Sequence, residues 1–265
     1  MRRGCSWDCD GFIEGKTRAM TVEIARTKYI NEAVALANLV VETQTSPIGE
    51  IVGETGTGKT VAARAIVQAL GATRICAHEG MSRYQLLGQI VPQIGIEGPS
   101  TRWLELLAAW ADGQTRRPLL VVDEANKLRW QALEVLRYLA DECHFAVVLI
   151  GTELYERQFA SARTRPLLLQ LGRRIGAKRV RTGKLDRAET YAHIIKPRHG
   201  DVADKDVVTA FWQGCRKGVW GEGVELAESC ARVMQANKVG VLTAAVLDAA
   251  LSWTANRREM GCDAG

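Results

Sequence analysis

The chain has 265 residues, 47% hydrophobic and 25% charged, with a net charge of +5; that length and apolar share suit one large or two smaller domains with a real core and exclude a disordered chain. No run of about 18 uncharged apolar residues occurs, and the opening MRRGCSWDCDGF has no apolar segment after its arginines, so the expectation is a cytoplasmic protein without a membrane contact. Seven scattered cysteines, an odd number, read as reduced thiols; Cys5 and Cys9 lie close together but lack a second pair at metal spacing.

In chain order, residues 1–19 are rich in glycine, cysteine and charge without periodicity and are expected to be a poorly ordered tail. From Thr21 to Leu39, Ile24, Tyr29, Ile30, Ala33, Leu36 and Ala37 predict a helix that runs into the polar VETQTSP. Pro47 to Val52 reads as a first strand; Ala62, Ala65, Ile66, Ala69 and Leu70 then mark one face of a helix closed by Gly71. TRICA (73–77) predicts a second strand, followed by two helices, SRYQLLGQIVPQIG, disturbed by Pro92, and STRWLELLAAWADG. A third, fully apolar strand spans Pro118 to Val122, and the stripe Leu128, Ala132, Leu133, Leu136 and Ala140 predicts a helix after it. FAVVLI (145–150) is a fourth strand, and a short fifth falls near Ala177 to Val180. Strands that are apolar throughout, separated by helices, predict a parallel sheet covered on both faces. Beyond Lys184 only helical patterns remain, so we expect an α/β nucleotide-binding domain over residues 20–184 and a small helical domain over 185–265.

The stretch GETGTGKT, formed by Gly53, Glu54, Thr55, Gly56, Thr57, Gly58, Lys59 and Thr60, fits the spacing G-x-x-x-x-G-K-[ST] at every fixed position and lies between a strand and a helix. Glycines let the backbone wrap phosphates with successive N–H groups pointing inward, and the helix N-terminus adds partial positive charge. Lys59 is expected to reach the β- and γ-phosphates of ATP and Thr60 to ligate Mg2+. The third strand ends in Asp123 and Glu124; Asp123 suits the Mg2+ shell, and Glu124 can orient and polarise an attacking water, which implies hydrolysis rather than storage. Thr152, at the tip of the fourth strand, places a hydroxyl beside that water or caps the helix ELYERQFA.

Charge is unevenly spread. Between Arg157 and Arg198 there are twelve lysines and arginines against two acids, Asp186 and Glu189. This is either a solvated face or an answer to a polyanion.

With VVETQT (40–45), GETGTGKTVAAR (53–64), LLVVDEANKL (119–128), VVLIGT (147–152) and RRIGAKR (173–179), the chain resembles AAA+ ATPases, a P-loop α/β fold with a helical C-terminal lid. More narrowly it is similar to the transposition regulators MuB, TnsC and TniB. The resemblance implies ATP and Mg2+ as cofactors and an arginine given by one subunit to the γ-phosphate held by its neighbour, with Arg174 ahead of Arg173 by position. It also implies a homo-oligomer, a helical filament or ring around double-stranded DNA, that is weakly active until assembled and that serves a transposase. Arg83, Arg102, Lys127 and Arg129 are the candidate phosphate contacts, with little sequence specificity expected. Two departures stand out: the DNA-binding extension that precedes this domain in MuB has no counterpart in the short tail, and the lid position where the family carries an arginine falls in Gly218 to Glu222, with Arg216 or Lys217 nearby as substitutes. Trp103, Trp130, Trp212 and Trp253 all sit on helical patterns and read as core packing. The rival readings are a replication initiator or helicase loader with the same site, and a P-loop kinase or signalling switch.

Overall fold

The computed structural model describes residues 25–152 and 165–262. The expected tail, the helix ELYERQFA and the basic residues Arg157 and Arg163 therefore lie outside the described residues.

Helix α1 (Lys28–Glu42) starts where the Thr27 hydroxyl accepts the Ile30 N–H at 3.3 Å, later than the apolar pattern alone predicts, and its buried stripe continues through Val40 and Val41. Strand β1 (Ile48–Val52) is buried throughout and leads through the glycine loop into α2 (Lys59–Leu70), which Gly71 ends in the left-handed conformation at φ 65°. After β2 (Thr73–Cys76), Ser82 and Gln85 form a reciprocal capping box at the start of α3 (Arg83–Gln93). Pro92 falls in the last turn, where it cannot donate to the Gly88 carbonyl four residues back, and the helix stops one residue later. Next come α4 (Trp103–Asp112), β3 (Leu119–Asp123), α5 (Trp130–Glu142) and β4 (Ala146–Gly151). Helix α6 (Arg165–Ile175) was hidden in the sequence by its charged neighbours, yet Leu168, Leu171 and Ile175 give it a buried face. Strand β5 is only Arg179–Arg181.

The sheet order is β2-β3-β4-β1-β5, and every pairing is parallel. Side chains alternate between two cores. Val147 and Leu149 face the core built with α3, α4, α5 and α6, whereas Ala146, Val148 and Ile150 face the one built with α1 and α2. This double coverage explains why the strands carry no polar alternation in sequence.

A third core, beginning at Leu185, joins a π-helical turn over Tyr191–Ile195, flanked by the short helices α7 (Arg187–Thr190) and α8 (Lys196–His199), to α9 (Lys205–Gly214), α10 (Trp220–Asn237) and α11 (Ala244–Cys262). Its start is pinned to the turn before α10 by the Leu185 N–H, which donates to the Gly218 carbonyl at 2.7 Å. Gly218 adopts φ +92°, and a Cβ there would collide with the Leu185 carbonyl. Gly218→Ala should therefore cost about 2 kcal/mol or more, lowering the melting temperature by several degrees; an unchanged melt would show that this turn does not anchor the helical part.

Burial divides the tryptophans. Trp103 packs against the sheet core and the Trp212 Nε1–H donates to the Leu185 carbonyl at 3.0 Å, but Trp130 and Trp253 stay 39% and 48% exposed. The core reading fails for Trp130 because it is the first residue of α5, ahead of the buried stripe, and for Trp253 because its ring meets the Arg232 guanidinium, 5.7 Å from the centroid. Among the described residues, no helix is long and apolar enough to cross a membrane.

Candidate nucleotide site and nucleic-acid face

The C-terminal edge of the sheet gathers the predicted residues. Gly56 and Gly58 take φ 84° and 88°, which side-chain-bearing residues rarely adopt, and Gly58 is the residue from which α2 starts. Lys59 is buried, and its Nζ donates to the carbonyls of Gly53 at 2.9 Å and Glu54 at 2.6 Å. Burial pushes its amine below the ordinary lysine range, while the charges of Glu124 and Asp123 pull it back up. Phosphates would supply the compensating anion. Thr60 follows in the first turn of α2, half-buried, and Glu54 and Thr55 are the exposed residues of the loop.

Two distant segments stitch the loop in place. The Thr57 and Thr182 hydroxyls lie 2.8 Å apart, and the Thr182 N–H donates to the Val52 carbonyl at 2.8 Å. A Cβ at Gly53 would strike Thr182, so this first glycine answers a close approach. From the helical part, the Gly221 N–H donates to the Gly56 carbonyl at 3.0 Å, and Val219 and Trp220 lie against Gly56 and Gly58. The expected lid arginine is replaced by a turn in which Arg216, Lys217 and Gly218 are consecutively left-handed, at φ 47°, 58° and 92°. Arg216 pairs with Glu222 and feels the charge of Glu54 on the loop. Such backbone strain, about 1 kcal/mol or more per non-glycine residue, concentrates at ligand sites.

Asp123 is 1% exposed. Its Oδ1 accepts the Glu124 N–H at 3.1 Å and its Oδ2 the Arg74 guanidinium at 2.6 Å. Arg74 was missed in the sequence; the signal was a charged residue inside the short strand TRICA, reaching a carboxylate 49 positions away. Glu124 is left-handed at φ 59°, and its carboxylate lies 3.4 Å from Lys127 Nζ. Just past the end of β4, the Thr152 N–H donates to Asn126 Oδ1 at 3.1 Å, while the buried Thr152 hydroxyl has no partner among the described residues.

The residues fit a nucleotide with its metal. The glycine cradle and Lys59 suit phosphates, and Thr60 and Asp123 offer the hard oxygen ligands that Mg2+ takes. Because Asp123 already carries Arg74, an outer position suits it, which agrees with the waters Mg2+ retains.

The two arginines of α6 differ. Arg174 Nε reaches both Asp141 oxygens, at 3.1 and 3.2 Å, beside the Arg137 ion pair to the same carboxylate. Arg173 is exposed, makes no ion pair among the described residues, and lines a cleft of about 300 Å³ with Arg165, Leu169, Gly172 and Arg179.

The nucleic-acid candidates partly converge. A parallel bridge between Met81 and Leu128, with the Arg129 N–H donating to the Met81 carbonyl at 3.3 Å, sets the starts of α3 and α5 side by side. Arg83 and Arg129 are exposed there and make no ion pair among the described residues. Arg102 pairs with Glu105 at 3.0 Å on the solvent side, an interaction of little energy. Lys127, through its contact with Glu124, sits between this face and the nucleotide site.

Residues 42–159 match a family model described as AAA domain. No curated protein matches the chain. Among solved structures, it is similar to Cdc6p from Pyrobaculum aerophilum (15% identity, TM-score 0.60, covering 80% of this chain and 62% of that one). The Orc1 protein of Aeropyrum pernix, in complex with DNA, gives 15% identity and TM-score 0.61 over 89% of this chain and 68% of that one. The Thermotoga maritima RuvB Holliday junction branch migration motor gives 14% and 0.57 over 86% and 69%. The chain thus spans under two thirds of the Cdc6p length, and at these identities the likeness establishes the fold: an α/β parallel sheet flanked by helices with a helical C-terminal region, as in AAA+ P-loop NTPases.

Proposed function

We propose that this chain, with an AAA domain over residues 42–159, is a Mg2+-dependent ATPase that binds DNA without sequence preference, assembles on it as a filament or ring, and directs a transposase to its target. The observation that carries the ATPase reading is the buried Lys59 at the mouth of a glycine cradle, sharing one sheet edge with Asp123 and Glu124. When bound, Mg2+ supplies charge neutralisation for the phosphates. Lys59 holds the β- and γ-phosphates, Glu124 takes the proton of the attacking water at its carboxylate, and the Thr152 hydroxyl orients that water. The DNA-bound Orc1 of the same fold and the exposed Arg83 and Arg129 support the nucleic-acid side.

The second reading, a replication initiator or helicase loader, keeps the same site and is supported by the shared fold with Cdc6p and Orc1. Which partner accelerates turnover, a transposase or a helicase, separates the two. For the DNA contact itself, gel shifts with ATP and plasmid-length duplex should show nucleotide-dependent binding that falls steeply with salt. Arg83→Ala and Arg129→Ala should each flatten the logarithmic salt slope by about one. Absence of any shift at low salt, with ATP bound, would remove the DNA reading and favour a P-loop kinase or switch.

A further inference from the structure

Phosphate contacts do not account for the whole of this face. Tyr84 and Trp130 are 59% and 39% exposed, and each directly follows an exposed arginine without an ion pair among the described residues, Arg83 or Arg129, in the first turns of α3 and α5. Those helices share the same core, and the Met81–Leu128 bridge sets their first turns side by side. The Tyr84 ring rests on Trp103, with centroids 5.1 Å apart and planes at 35°, and the Trp103 Nε1–H is tied to the Gly98 carbonyl at 3.3 Å. That support orders the Tyr84 ring while leaving its outer surface in solvent. Arg102 adjoins Trp103 and extends the cationic rim. Among nearby acids, Glu105 is held by Arg102 and Glu134 by Arg137, leaving Glu79 and Glu97 as exposed acids near α3.

Exposed aromatic rings interleaved with exposed guanidinium groups are served together by one kind of ligand. An intact duplex answers the arginines but hides the faces of its bases in the stack. A neutral or basic peptide covers the rings and leaves the cations unanswered. A strand with unstacked bases offers a π-face to each ring and a phosphate to each arginine.

We propose that Tyr84 and Trp130 form a base-stacking platform, so that the nucleic acid engaged at this face is single-stranded or locally opened DNA. This rests on the DNA-binding reading above and specifies its substrate. Arg83, Arg102 and Arg129 track the backbone, and the aromatic rings grip bases without reading their identity.

The test is fluorescence anisotropy with the full chain and ATP, using labelled oligothymidylate, an abasic strand of the same length and charge, and a length-matched duplex. The wild type should favour oligothymidylate over the abasic strand by about tenfold or more. Tyr84→Ala and Trp130→Ala should each lose about 5- to 150-fold on oligothymidylate, with unchanged affinity for the abasic strand, unchanged salt slope and unchanged melting temperature. Trp130→Phe should recover most of the loss. Equal binding of the three nucleic acids by the wild type, with neutral aromatic variants, overturns the platform and leaves the DNA reading intact. Binding of none of them at low salt overturns both. Aromatic variants that lose denatured casein while keeping oligothymidylate would assign the face to polypeptide and overturn the platform as well.

Discussion

Arg173→Ala should lower ATP turnover of the DNA-assembled protein by about 10³-fold or more, the scale of an arginine supplied in trans to a phosphoryl-transfer site, while Arg174→Ala should retain most of it. By position alone Arg174 comes first. In the structure, however, its guanidinium is committed to Asp141, whereas Arg173 stands exposed beside a cleft shared with Arg165 and Arg179. Losing Arg174 leaves Asp141 still paired with Arg137, so the expected cost is about 1 kcal/mol of stability. A mixing experiment makes the trans assignment sharp. Lys59→Ala subunits retain Arg173 but not the phosphate cation, and Arg173→Ala subunits retain the reverse. Equimolar mixtures should hydrolyse ATP faster than either variant alone, because some interfaces combine an intact donor with an intact acceptor. If mixing gives only the sum of the two separate rates, Arg173 does not act across a subunit boundary.

Glu124→Gln should lower turnover by about 10² to 10⁴, the usual worth of a positioned general base, without loss of ATP binding. The amide preserves shape but cannot take the proton of the attacking water. It also removes the anion that holds Lys127 at 3.4 Å, freeing that cation for the nucleic-acid face. Complexes with ATP and DNA should therefore persist longer than those of the wild type. Phosphate release and dissociation of labelled DNA, measured on the same sample, report both effects. Wild-type turnover in the variant would strip Glu124 of its role, and faster DNA release would show that the pair with Lys127 does not oppose DNA binding.

Legibility in the sequence followed the range of the interaction. The glycine loop could be read because every constraint in it is local: Gly56 and Gly58 need positive φ, and Lys59 must follow at the start of a helix. Strands β3 and β4 could be read from their apolar runs, since a sheet covered on both faces asks the same of each position. Strand β5, with Val180 half-buried between Arg179 and Arg181, offered little such signal. Helix α6 was overlooked for a related reason, since its buried face is Leu168, Leu171 and Ile175 among arginines.

By itself, then, the chain's order of residues determined an α/β parallel sheet, a phosphate cradle at the end of β1 and an acid pair at the end of β3, because hydrophobic periodicity and backbone conformation act over a few neighbouring residues. Tertiary structure alone decided which charges are already spent. Asp141 engages Arg174 from 33 positions away and Arg74 meets Asp123 from 49, while Trp130 is left in solvent beside Arg129. Electrostatic partnership and exposure depend on which distant segments meet, and that is settled only when the helices dock onto the sheet.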